Sequence, residues 1–111
     1  MRRAGRRDEL HRAAGEFFEY RGWTGIDMAS LGNDVPDWAF FKGTVGFCLE
    51  VKSPNSIRHK QADSDGLTDG QREFHRLFRG LIFTAQSVED FWKVANAVEP
   101  GIAERIEPRE P

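Results

Sequence analysis

Asp37, Glu50 and Lys52 are two acids and a base set in adjacent runs rich in aromatic and β-branched residues, Asp37–Lys42 and Val45–Lys52. Gly43-Thr44 separates the runs, and a two-residue Gly-X loop is a type II′ hairpin signal. If that loop pairs Lys42 with Val45, then Phe40 lies opposite Phe47, Ala39 opposite Cys48, and Asp37 opposite Glu50. Opposed residues share a sheet face, with Cβ atoms about 5 Å apart. Glu50 and Lys52 share a face as well, because strand side chains alternate with period two. The three side chains are therefore expected to converge, while Phe47, Leu49 and Val51 turn the other way into a core. Two opposed carboxylates repel each other, and a bound cation removes that conflict. Hard oxygen ligands select Mg²⁺ or Mn²⁺. Such an ion polarises a phosphoryl oxygen and lowers the pKa of a bound water. Lys52 would orient that water and offset the charge that develops in the transition state. The chemistry these residues fit is phosphodiester hydrolysis. Glu-x-Lys alone is a weak signal, equally consistent with a salt bridge across a surface hairpin. The ordered set of Pro36-Asp37, a Gly-turn hairpin, Glu50-x-Lys52 and a capped helix near Gln71 is far more specific.

The surrounding pattern supplies elements to hold this cluster. Leu10, Ala13, Ala14, Phe17 and Phe18 recur at helical spacing, which predicts a helix over 7–21 ending at Gly22. Gly25–Leu31 reads as a first short strand. Ser53–Leu67 is polar and turn-rich and reads as a long loop. Thr68-Asp-Gly-Gln71 has the form of a capping box, opening a helix whose apolar face is Phe74, Leu77 and Phe78 and which Gly80 ends. Leu81–Thr84 reads as a short buried strand. Ser87 caps a last helix, with Glu89 and Asp90 in its first turn and Val88, Phe91, Trp92, Ala95 and Val98 on its inner face. The order implies an α/β fold in which helices flank a mixed sheet. One domain is expected over 1–98, followed at 99–111 by a disordered acidic, Pro-containing tail.

The stretches Gly32–Asp37, Phe47–Lys52 and Leu67–Gln71 together resemble the VRR-NUC branch of the PD-(D/E)xK nuclease superfamily, over roughly residues 8 to 92. The resemblance implies a restriction-endonuclease-like core. It implies that Asp37 and Glu50, with the Val51 backbone carbonyl, are the metal ligands, that Lys52 is the catalytic lysine, and that Gln71 is the polar helix residue beside the site. An acid from the first helix often joins such sites, with Glu9 the choice and Glu16 the alternative. It further implies a DNA endonuclease acting on branched or Holliday-junction-like substrates, and a homodimer. The chain departs from the family pattern in having two residues between Gly32 and Val35, so Asp34 competes with Asp37 as a ligand. The hairpin count puts Asp34 on the opposite face and favours Asp37. The loop before Gln71 is also longer than the simple family version and carries Asp63 and Asp65, which read as solvated turn acids.

The remaining residues are less specific. At 111 residues there is room for one modest core. A hydrophobic share of 39% against a charged share of 31% is ordinary for a soluble globular chain. No apolar run approaches the roughly 20 residues of a membrane span. The arginine-rich start is followed by no apolar h-region, so a cytoplasmic protein of a bacterial or phage-infected cell is expected, with no membrane partner. A net charge of -2 does not advertise a nucleic-acid binder. The charge is uneven, however. Arg2, Arg3, Arg6 and Arg7 crowd one end, and Arg58, His59 and Lys60 form a second cluster, making these the candidate DNA contacts. The single cysteine, Cys48, excludes an internal disulfide and reads as a buried strand thiol. His11 and His75 read as helix surface or boundary residues. Trp23, Trp38 and Trp92 read as core or core-edge residues. The competing function is a catalytically inactive nuclease-fold module that binds DNA or a partner.

Overall fold

The computed structural model describes residues 5–32, 34–52 and 67–102, with side chains from residue 9 onward. Helix α1 spans Gly5–Tyr20. Gly22 ends it at φ 94°, with Trp23 N–H donating to the Phe18 carbonyl at 2.9 Å and Gly22 N–H to that of Glu19 at 3.0 Å. This left-handed cap satisfies the last carbonyls of the helix. The Lys42 ammonium adds a bond to the Arg21 carbonyl at 2.7 Å.

Four strands follow in the order β1-β2-β3-β4. They are β1 (Thr24–Asp27), β2 (Trp38–Lys42), β3 (Val45–Val51) and β4 (Leu81–Ala85). The first three are antiparallel neighbours, and β4 lies parallel to β3. Helix α2 (Asp69–Leu77) precedes β4, and α3 (Val88–Val98) follows it. The expected first strand is shorter than its sequence pattern, because Ala29–Leu31 turns into a 3₁₀ helix. The Asp27 carboxylate accepts from Ala29 N–H at 3.0 Å and so bends the chain out of the sheet.

The hairpin register is the one the two-residue loop dictates: Lys42 pairs Val45, Phe40 pairs Phe47 and Trp38 pairs Leu49. Gly43 has φ 57° and Thr44 does not share a positive φ, which fits a II′ turn and not I′. Phe40, Phe47, Leu49, Val51 and Ala85 face α1 and α3 and form the core with Ala14, Phe18, Phe91, Val94, Ala95 and Val98. Phe18 is its hub, with ring centroids 4.8 Å from Phe40 and 5.2 Å from Phe47. Trp23 and Trp38 are buried against it.

In α3 the buried residues are Phe91, Val94, Ala95 and Val98, while Val88 and Trp92 are each 48% exposed. The inner stripe therefore passes through Val94 in place of those two. The boundary expected after Val98 falls inside a folded turn. Glu99–Gly101 is a 3₁₀ helix. Glu99 accepts two bonds from Arg21, at 2.6 and 2.9 Å, and one from Trp23 at 3.0 Å. Residues 103–111, where the rest of the expected tail falls, lie outside the described residues. No helix among the described residues is long and apolar enough to cross a membrane.

Candidate functional site

Alternation along β3 sends Gly46, Cys48 and Glu50 to the sheet face opposite the core. Extending the β2–β3 register one pair past Trp38 and Leu49 sets Asp37 beside Glu50 on that face. The parallel register with β4 sets Thr84 on the other side of Glu50. Glu50 is fully buried, and Asp37 is 6% exposed.

Each acid is fixed by backbone or helix. Pro36, itself buried, leads into Asp37, whose carbonyl accepts from Met28 N–H at 2.8 Å. The Asp37 carboxylate then reaches across the hairpin, where its Oδ2 accepts from Val51 N–H at 2.7 Å. Glu50 is held from above by α2: Gln71 Nε2 donates to Glu50 Oε1 at 3.3 Å. Gln71 is in turn half of the capping box read from the sequence. Its backbone N–H donates to Thr68 Oγ1 at 3.0 Å, and its Oε1 accepts from Thr68 N–H at 2.9 Å. Lys52 follows the last residue of β3, with its N–H bonded to the Ala85 carbonyl at 2.8 Å, and it is half-buried. Cys48, two residues before Glu50, is half-buried; burial pushes its thiol pKa up, and the nearby Glu50 charge pushes it further.

Two buried carboxylates on one face are a pair of hard-oxygen donors. Magnesium retains several waters and is commonly held by one or two carboxylates, so this set fits it. Among the described residues no group of three or more His, Cys, Asp or Glu side chains is placed to hold a metal. A first-helix acid is therefore not part of the pair: Glu9 and Glu16 are both exposed on α1. Glu16 lines a polar cleft of about 540 Å³ with His11, Arg12, Asp27 and Trp38 on the α1 side of the sheet, away from the Glu50 face.

Asp34, the rival ligand, is exposed and has φ 71°. Its carboxylate meets α2 and not Glu50, accepting from Thr68 Oγ1 at 3.3 Å. His11 is a boundary residue of α1. Its side chain is 17% exposed, its Nε2 lies 3.0 Å from Asp27 Oδ2, and its ring stacks on Trp38 at 5.0 Å. Thr84 and this His11–Asp27 pair were not singled out from the sequence, because the signal for each is a tertiary register. Arg2, Arg3, Arg58, His59, Lys60, Asp63 and Asp65 lie outside the described residues, as do the side chains of Arg6 and Arg7.

The structure thus brings together Asp37, Glu50 and Gln71, with Val51 bonded to Asp37 through its backbone, while Lys52 directly follows β3. Compared with known proteins, the chain matches no family model, no curated protein and no solved structure.

Proposed function

We propose that the chain is a metal-dependent endonuclease with a PD-(D/E)xK-type core of the VRR-NUC kind, cleaving DNA that is branched or otherwise structured. The observation that carries this reading is the pair of buried carboxylates, Asp37 and Glu50, opposed across one hairpin, with Lys52 two residues further along the chain. Two such acids side by side in an interior require either a proton on one of them or a compensating positive charge, and a bound cation supplies the second. Asp37, Glu50 and the Val51 carbonyl would hold Mg²⁺ or Mn²⁺. The ion supplies Lewis acidity toward a phosphodiester oxygen and toward the attacking water when bound.

The chain's own groups do the rest. Val51 N–H fixes Oδ2 of Asp37, so that carboxylate has one orientation when substrate arrives. Gln71 does the same for Oε1 of Glu50. Lys52 offsets the charge that builds on the phosphoryl oxygens and hydrogen-bonds the nucleophilic water. A preorganised donor of this kind contributes most where water is excluded. The basic clusters at Arg2, Arg3, Arg6, Arg7 and at Arg58, His59, Lys60 would contact phosphates, and two protomers would give two cuts.

Cleavage of linear, flapped and four-way DNA in Mg²⁺ or Mn²⁺, with Lys52→Ala as control, tests the reading. The expected result is metal-dependent cleavage by the wild type that the variant lacks. Absence of cleavage, together with no rise in melting temperature at millimolar Mn²⁺, would instead support a binding module.

A further inference from the structure

We propose that Asp34 is a positioning residue, acting through Thr68 and Gln71 to set the orientation of the Glu50 carboxylate. The inference deepens the nuclease reading and rests on it for its catalytic meaning, although the relay itself is defined without any ligand.

The geometry is a chain of four contacts. Thr68 Oγ1 donates to Asp34 Oδ1 at 3.3 Å and accepts from Gln71 N–H at 3.0 Å. Gln71 Oε1 accepts from Thr68 N–H at 2.9 Å, and Gln71 Nε2 donates to Glu50 Oε1 at 3.3 Å. A hydroxyl has one proton and two lone pairs. Committing the Thr68 proton to a carboxylate leaves its lone pairs for the α2 backbone, which is what the capping bond requires. The Gln71 carboxamide then has one acceptable orientation. Flipped by half a turn, it would put its oxygen against the Glu50 carboxylate and its NH₂ against the Thr68 N–H, losing both bonds. Order at Asp34 is thereby transmitted to the buried acid, across 34 residues of sequence to Thr68 and 21 more from Gln71 back to Glu50.

Two features indicate that the contact is built in. Asp34 occupies the left-handed region, at φ 71°, a conformation that aspartate tolerates better than most residues but not as well as glycine. Gly70, in the first turn of α2, lies directly under the Asp34 carboxylate, and a Cβ on that glycine would overlap it. Alanine would otherwise suit a helix better than glycine. The position thus has its side chain removed where the carboxylate needs the space.

The variants separate positioning from simple stability. Asp34→Gly keeps the backbone conformation and deletes the carboxylate. Asp34→Asn keeps an oxygen acceptor for Thr68. Gly70→Ala displaces the carboxylate from the other side. The first readout is the Gln71 side-chain amide in ¹H–¹⁵N spectra of the metal-free protein. In the wild type its two protons should be distinct and protected from exchange. Asp34→Gly and Gly70→Ala should speed their exchange about three- to tenfold, the range expected for one lost hydrogen-bond link, while Asp34→Asn restores the wild-type value. The second readout is Mn²⁺ affinity by calorimetry, expected to weaken by a similar factor in Asp34→Gly with the urea midpoint held or raised. An unchanged Gln71 amide in both disruptive variants overturns the relay, whatever the metal does. A wild type that binds no Mn²⁺ overturns the nuclease reading, while the amide exchange still decides the relay.

Discussion

At the scale of single residues, burial decides the chemistry of Glu50 and Asp37. Glu50 is fully enclosed and lies on the same sheet face as Cys48, whose thiol pKa is raised first by burial and second by the Glu50 charge. This makes Cys48 a reporter. Burial is the larger cause and persists, but removing the Glu50 charge should lower the thiol pKa and raise the thiolate fraction at mildly alkaline pH. Alkylation of Cys48 is therefore expected to be faster in Glu50→Gln than in the wild type, and faster in the wild type with Mg²⁺ than without. Equal rates in all three would show that no charge is being neutralised there. Asp37→Asn is nearly isosteric and can still accept from Val51 N–H, but it carries no charge. It should remain folded and lose most of the stabilisation that Mn²⁺ gives the wild type, as read from melting curves with and without the ion. A full Mn²⁺ shift in this variant would remove Asp37 from the ligand set.

At the scale of elements, two contacts determine how α1 sits on the sheet. Gly15 faces Trp38 so closely that a Cβ would lie 2.6 Å from the indole Cη2. Gly15→Ala should therefore destabilise by about 1–3 kcal/mol through overpacking, although the same change in an exposed helix would stabilise. Urea midpoints give the sign directly, and a gain in stability would mean that the helix can lift off Trp38 at no cost. The second contact is the exit of α1. Arg21 grips Glu99 with two bonds and lies over the Trp92 ring at 4.7 Å. The bond from Arg21 holds the Glu99 carboxyl below the ordinary glutamate pKa, against the opposing effect of burial. A depressed folded-state pKa stabilises the protein above the unfolded-state value and loses that contribution as pH falls through the folded one. Glu99→Gln should accordingly cost about 1 kcal/mol at pH 7 for a part-exposed bidentate pair. The difference from wild type should shrink in acid, below the ordinary glutamate range. A penalty that is the same at pH 7 and pH 3 would show that the ionised pair is not its source.

At the scale of the whole molecule, the core leaves apolar surface on α1 and α3, as it also does at Ile26, Leu31, Phe41, Leu77 and Leu81. Of the four aromatics around the end of α1, Phe18 and Trp23 are buried, Phe17 is part-buried, and Tyr20 is 93% exposed. Tyr20 lines an apolar groove of about 430 Å³ with Phe17, Val88, Phe91 and Trp92. The described residues hold one candidate site, and on the nuclease reading proposed above symmetric cleavage of a four-way junction would need two. A two-fold dimer is therefore expected, giving a light-scattering mass of about twice the 12.7 kDa chain at micromolar concentration. A mass of one chain, both alone and on junction DNA, would rule the dimer out.

The sequence alone determined what short-range rules govern. The Gly43-Thr44 loop set the hairpin register, and period-two alternation then placed Asp37 and Glu50 on one face. Thr68, Gln71, Ser87 and Gly22 marked helix ends, because capping groups bond within a turn of the chain. Only the tertiary structure decided what those faces meet. It made β4 parallel and set Thr84 beside Glu50, wedged His11 between Asp27 and Trp38, and left Trp92 and Val88 half-exposed. It also moved Asp34 from rival ligand to clamp on α2. These outcomes join residues as far apart as Arg21 and Glu99, 78 positions along the chain. Hydrophobic period shows which stripe of a helix is apolar, but the choice of which apolar residues are covered depends on how α1 and α3 share one narrow sheet.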